Sequence, residues 1–290
     1  MIQIKAGHTV WPLPKSRPLR HNTQPDSIKN PQQPPPSPPP GPLHDLKILD
    51  FSRILAGPFC TQILADYGAT VTKIEHPISG DETRSWQAAG EANAWKPDSG
   101  PMSFYFAAVN RNKRSLALDL KKPEALEVVY RLASMADVVV ENFVPGGAEK
   151  LGIGYEELSE RNPRLVYASI SGYGAEGPYA RRAGYDAIAA AEGGLMHITG
   201  HPEGAPVRPG LGMTDMSTGL YAHGAIMAAL WSREHTGKGQ KISASLFETQ
   251  MALLINVGAN WLNLGIEGKR YGAAHPSIVP YNTWRCKDDV

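Results

Sequence analysis

Residues 46–75 read LKILDFSRILAGPFCTQILADYGATVTKIE, and this stretch decides the fold. Its first six residues, 46–51, are mostly apolar and read as a short strand. Gly57-Pro58 then opens a helical run through residue 67, because proline fits a first helical turn whose N–H groups have no partner in any case. A second strand follows over 70–74. Strand, helix and strand in such close succession predict parallel pairing through a right-handed crossover.

Outward from that unit the alternation continues. Strands are expected over 115–118, 137–140 and 165–170, with a helix over 123–135 between the first two. Beyond Asp186 the chain turns helical, over 187–191, 214–233 and 246–264, with a short strand at 241–244. The predicted class is α/β, a Rossmann-like doubly wound, mostly parallel sheet. Thr214-Asp215 stands just before a long apolar run, where a carboxylate is favoured by the helix dipole.

Upstream, residues 1–30 carry Lys5, Lys15, Arg17, Arg20 and Lys29 against Asp26 as the single acid, a pattern shared by mitochondrial transit peptides and by extensions with no address. Residues 32–42, QQPPPSPPPGP, predict an extended polyproline linker. The domains expected are therefore a disordered leader and linker over 1–42, a large domain over 43–265, and the start of a smaller domain over 266–290.

Composition excludes several functions. Lys and Arg number 29 and Asp and Glu 28, so the net charge of +1 sets up no global field for nucleic acid or an anionic membrane. No apolar stretch reaches the length of a membrane span. Cys60 and Cys286 are too few for a disulfide framework. His197, His201, His223 and His275 form no metal-ligand spacing, so no metal is expected.

Three constellations could carry chemistry. Gly172-Tyr173-Gly174-Ala175-Glu176-Gly177 matches a dinucleotide fingerprint, but Pro178 follows it and no helix starts there. Arg84, Lys113, Arg114, Lys121 and Lys122 lie near predicted strand ends, where they could converge on phosphates or simply be solvated. Asp186, Glu203, Asp215 and Glu248 sit among small or apolar residues, where desolvation would raise pKa; for any one of them taken alone a cap or a structural ion pair is the favoured role.

Taken in order, the segments 49–58, 66–77, 80–84, 110–115, 118–121, 137–143, 169–174, Gly184-Tyr185-Asp186, 213–219 and 235–240 resemble the class III CoA-transferases, the CaiB/BaiF family. The resemblance runs from about residue 43 to the C-terminus. It implies a CoA-binding large domain, a smaller second domain and an interlocked homodimer. It places coenzyme A against Leu55, Ala56, His76, Leu118, Asp119, Leu120, Lys121, Asn142, Phe143, Lys150, Arg182 and Tyr185. Residues 196–200 and 207–210 look most like the succinyl-CoA:glutarate branch, which is mitochondrial; a cytoplasmic location is the alternative.

The same resemblance implies that CoA passes from an acyl-CoA such as succinyl-CoA to a carboxylic or dicarboxylic acid such as glutarate. The route is an enzyme-bound mixed anhydride and thioester, with Asp215 as nucleophile and Glu203 in reserve. Arg208 is a candidate partner for a substrate carboxylate. An α-methylacyl-CoA racemase of the same fold would need a His where this chain has Tyr185. Relatives continue beyond the segment matching 274–290, so an inactive, C-terminally truncated family member is a further expectation.

Overall fold

The structure is a computed structural model that describes residues 41–96, 100 and 102–287. The basic leader and nearly all of the proline-rich linker lie outside the described residues. Strands β1 (Lys47–Asp50), β2 (Thr70–Glu75), β3 (Lys113–Ala117), β4 (Val138–Glu141), β5 (Val166–Ser171) and β6 (Lys241–Ser245) form one sheet. Their order is β3-β2-β1-β4-β5-β6 and every pairing is parallel, which is the doubly wound order expected, without the antiparallel edge that "mostly parallel" allowed.

The alternation of side chains along the strands separates two cores. Ile48, Val138, Val140, Val166, Ala168 and Ile170 face α1 (Ala56–Asp66) and α8 (Met213–Thr236). Leu49, Val139, Leu165 and Tyr167 face the other side, where Val129 and Ala133 of α3 (Pro123–Ala133) and Leu158 of α5 (Tyr155–Arg161) cover them. β4, with Val-Val-Val-Glu buried throughout, is apolar to both faces because helices cover both.

Elements not expected from the sequence are α2 (Phe104–Asn110), α4 (Gly147–Lys150), α5 and α7 (Leu195–Ile198). α6 (Asp186–Glu192) starts one residue earlier than read. The helix expected over 246–264 is instead two, α9 (Leu246–Leu253) and α10 (Ile255–Leu264), broken where Ile255 takes a φ of +41°. From Gly265 to Lys287 no helix or strand forms.

Candidate active site

In a sheet of this order the connections leaving β1 and β4 run to opposite sides, and ligands settle in the crevice outside the carboxyl ends of those two strands. Asn142, just past β4, ties that opening together: its Oδ1 accepts from Arg53 N–H at 2.9 Å and its Nδ2 donates to Arg53 O at 2.8 Å. The chain then turns through Ile54 with φ +71°, a left-handed conformation that costs a β-branched residue about 1–3 kcal/mol. That turn delivers Leu55 and Ala56 to the start of α1. They line a cleft together with Asn142, Phe143, Arg182 and Tyr185.

A second hollow adjoins it at the ends of β2 and β3, lined by His76, Leu118, Asp119, Leu120 and Lys121, with Arg53 and Phe143 on both walls. The structure thus brings together eleven of the twelve residues singled out for CoA. Lys150 is exposed beside Leu151, which lines the second hollow, but is on neither wall itself. Two cations of the expected basic cluster are turned inward. Arg84 pairs with Glu75 at 2.7 Å, and Lys113 with Asp50 at 3.0 Å, so of the cluster it is Lys121 that faces the hollow.

Asp215 is the third residue of α8 and lines both the cleft and a further cavity of about 640 Å³. It does not cap its helix. Asp186, at the start of α6, does so from outside: its Oδ1 accepts from Thr214 N–H at 2.9 Å and Asp215 N–H at 3.1 Å. The Asp215 carboxylate accepts no hydrogen bond from the described residues. Burial, and then the neighbouring Asp186 charge, push its pKa up to about 7. A carboxylate left without donors, desolvated and facing two cavities is a reactive one.

The larger cavity is walled by Phe59, Trp86, Tyr105 and Met216 and carries two guanidinium groups. Arg111 is held by Asp66 at 2.6 Å, whereas Arg208 is half-exposed and only 4.0 Å from Asp186 at its closest. Burial first, then Asp215, Asp186 and Asp81, push the Tyr105 phenol up to about 12, so it stays a proton donor at neutral pH.

The protein-family comparison matches residues 43–290 to CoA-transferase family III. The chain belongs to that family. It is 59% identical over 248 residues to an acyl-CoA transferase of Fusarium pseudograminearum, covering 86% of this chain and 54% of that one. It is 50% identical over 247 residues to the human succinyl-CoA:glutarate CoA-transferase, covering 85% of this chain and 55% of the relative. The chain therefore spans about half the length of the curated relatives it matches. Among solved structures, a CaiB/BaiF family protein from Brucella suis superposes with a TM-score of 0.80 at 44% identity, over 86% of this chain and 65% of that one.

Within this family III chain two of the other carboxylates, Asp186 and Glu248, have structural work. Glu248 is bound to the N-cap of α9, accepting from the Ser245 hydroxyl at 2.7 Å while Ser245 Oγ accepts from Glu248 N–H at 3.2 Å. Glu203 is exposed on its loop and lines neither cavity. The glycine-rich run after β5 leads into no helix until Asp186, so the dinucleotide reading fails as expected. Instead, a Cβ on Gly172 would stand 2.5 Å from the Gly184 Cα, so the two ends of this loop touch backbone to backbone at the cleft. Arg182 lies over the rings of Tyr173 and Tyr179 and donates to Glu192 at 2.6 Å, which fixes it on the cleft wall. Among the described residues no His, Cys, Asp and Glu cluster could hold a metal, and no helix is long and apolar enough to cross a membrane.

Trp86 and Tyr105 escaped the sequence reading. Trp86 stands among small and polar residues and Tyr105 between Phe104 and Phe106, and neither carries a signal until the two meet edge to face at 5.4 Å over one cavity.

An activity that needs Asp215 ionised should rise with pH through about 7, because the protonated carboxyl cannot attack. Asp186→Asn keeps an oxygen for the two helix N–H groups but removes the opposing charge. It should move that limb of the kcat/KM profile to lower pH; an unmoved limb would assign the titration to another group.

Proposed function

We propose that this chain is an acyl-CoA:carboxylate CoA-transferase acting through Asp215, with succinyl-CoA as donor and a dicarboxylic acid such as glutarate as acceptor. The observation that carries this reading is that Asp215 stands where the CoA cleft meets the 640 Å³ cavity. A carboxylate oxygen of Asp215 attacks the donor thioester carbonyl and the C–S bond breaks, giving a mixed anhydride and CoA thiolate. The thiolate attacks the Asp215 carbonyl carbon, the anhydride C–O bond breaks, and the donor acid leaves an Asp215 thioester behind. The acceptor carboxylate then attacks that thioester, and the same two steps run in reverse on the new acyl group. Each charge transfer stays within a site shielded by the apolar cavity walls.

Arg208 supports a dicarboxylate. Of the two guanidinium groups on the cavity wall it is the more loosely paired, 4.0 Å from Asp186 against 2.6 Å between Arg111 and Asp66, and a second substrate carboxylate can take its fork. The test is to incubate the chain with succinyl-CoA and glutarate, follow glutaryl-CoA by mass spectrometry, and trap the Asp215 thioester with hydroxylamine. Glutaryl-CoA without an adduct at Asp215 would move the nucleophile elsewhere. Deuterium exchange at the α-carbon of a branched acyl-CoA without CoA transfer would favour a racemase, despite Tyr185 standing at the base position. Arg208→Met is expected to lower kcat/KM for glutarate by about 10- to 100-fold, the worth of a charge-assisted hydrogen bond, and to leave a monocarboxylate acceptor within about threefold. Equal losses for both acids would remove Arg208 from acceptor recognition.

A further inference from the structure

The turn between β1 and α1 is held at five successive backbone polar groups, from Ser52 N–H to Ile54 N–H. Ser52 N–H donates to Asp50 at 2.9 Å, and Ser52 O accepts from Lys73 Nζ at 2.6 Å. Arg53 N–H and O are both taken by Asn142. Ile54 N–H points at the Asp81 carboxylate at 3.3 Å. Asp81 also receives Lys73 Nζ at 3.0 Å and the N–H and hydroxyl of Thr83 at 3.0 and 2.7 Å. The side chains of Lys73 and Asp81 are 2% and 0% exposed.

Immediately after these residues, Ile54 and Leu55 line both the CoA cleft and the larger cavity, as Asp215 and Tyr185 do. The turn is thus the wall across which Asp215 would act. A left-handed Ile54 reverts to an ordinary conformation unless its surroundings over-determine it. A buried ion pair is an inefficient way to add stability, since well-packed apolar residues do as well, but it fixes one arrangement.

We propose that Lys73 and Asp81 are positioning residues: by holding Ser52 O and Ile54 N–H they keep the Ile54-Leu55 wall in register with Asp215. The kinetic part rests on the transferase reading above; the geometric part does not.

The test uses the full 290-residue chain. Lys73→Met together with Asp81→Asn removes both charges at near-constant volume and leaves no buried charge unpaired. Hydrogen exchange is read at the Ser52 and Arg53 amides, whose own acceptors, Asp50 and Asn142, are untouched. The double variant should keep its circular dichroism spectrum while those amides exchange at least about tenfold faster, the turn having become a locally opening segment. Its kcat should fall by about 10- to 100-fold, the scale of an ångström-level misplacement, with KM for the acyl-CoA within about threefold. If the double variant does not fold, Lys73→Gln with Asp81→Asn is read in the same way, since it too removes both charges but keeps polar groups at the site.

A folded variant with unchanged Ser52 and Arg53 exchange overturns the proposal. So does faster exchange with unchanged kcat in a chain that turns over. If the parent chain shows no transfer, the transferase reading falls by itself and the exchange measurement alone decides whether the pair holds the turn.

Discussion

Asp215→Asn is expected to abolish the hydroxylamine-trappable thioester and to lower kcat on the order of 10⁴-fold or more, the scale seen when a covalent nucleophile is removed. The amide fills the same space, and the cap of α8 belongs to Asp186 and is untouched, so the loss would be chemical. Stability should move the other way. The folded carboxyl, with a pKa of about 7 against 3.8 for the ordinary group, binds more protons than the unfolded one between those values. Stability therefore falls as pH rises through that window, and the penalty is complete above it. Full conversion at about 1.4 kcal/mol per unit overstates a partly solvated group, so the variant should gain about 2 kcal/mol at pH 8 and nothing below pH ~4. Urea titrations at the two pH values check this. A variant that keeps kcat within tenfold, or gains no stability at pH 8, would return Asp215 to an ordinary structural role.

That opposition between activity and stability could be foreseen only in part from the sequence. Thr214-Asp215 before an apolar run signals a helix start, and the reading left open whether Asp215 caps it. The structure assigns the cap to Asp186, 28 and 29 residues earlier in the chain than the N–H groups it binds, and so leaves Asp215 free. Local periodicity placed all six strands to within a few residues, because a strand's burial is written in its own residues. It could not place the break at Ile255, where a β-branched residue takes a positive φ without glycine or proline to announce it.

The basic residues show the same limit more sharply. Arg84 and Lys113 look like phosphate ligands in one dimension, near strand ends and among polar neighbours. In three dimensions Glu75 takes the first, with Ser115 donating to the same carboxylate at 2.7 Å, and Asp50 takes the second. Arg84 folds back on Glu75 from nine residues further along the chain, past the end of β2, and Lys113 of β3 reaches Asp50 of β1 across β2, so no helical or strand spacing reports either pairing. By contrast, Leu55, Asn142 and Tyr185, which only the family resemblance singled out, come together on one cleft wall because each stands at the end or start of an element.

The inward turn of Lys113 leads to the largest expected effect on folding. Its Nζ lies 3.0 Å from Asp50 Oδ2, with side chains 2% and 0% exposed, and it also donates to Pro58 O and Asn110 Oδ1 at 2.8 and 2.9 Å. Burial alone would raise the Asp50 pKa, but Lys113, then Lys73, and the hydroxyls of Ser52 and Thr61 outweigh it and hold the carboxyl well below its usual range. Lys113→Met leaves that carboxylate buried without its main counter-charge, which should cost about 3–5 kcal/mol and lower Tm by roughly 10 °C or more. The sign with pH follows. In the parent, Asp50 contributes stability above its unfolded pKa and loses it as pH falls; with Lys113 gone the carboxyl is pushed up, so its charged form now opposes folding. The penalty should therefore be smallest in acid and grow as pH rises to a plateau. Adding Asp50→Asn, which keeps an oxygen for the Ser52 N–H and hydroxyl and turns its NH2 toward the Thr61 hydroxyl while removing the charge, should recover at least half of the loss at neutral pH. Additive losses in the double variant, or a penalty independent of pH, would mean that Lys113 acts by filling space and that its charge is immaterial to the fold.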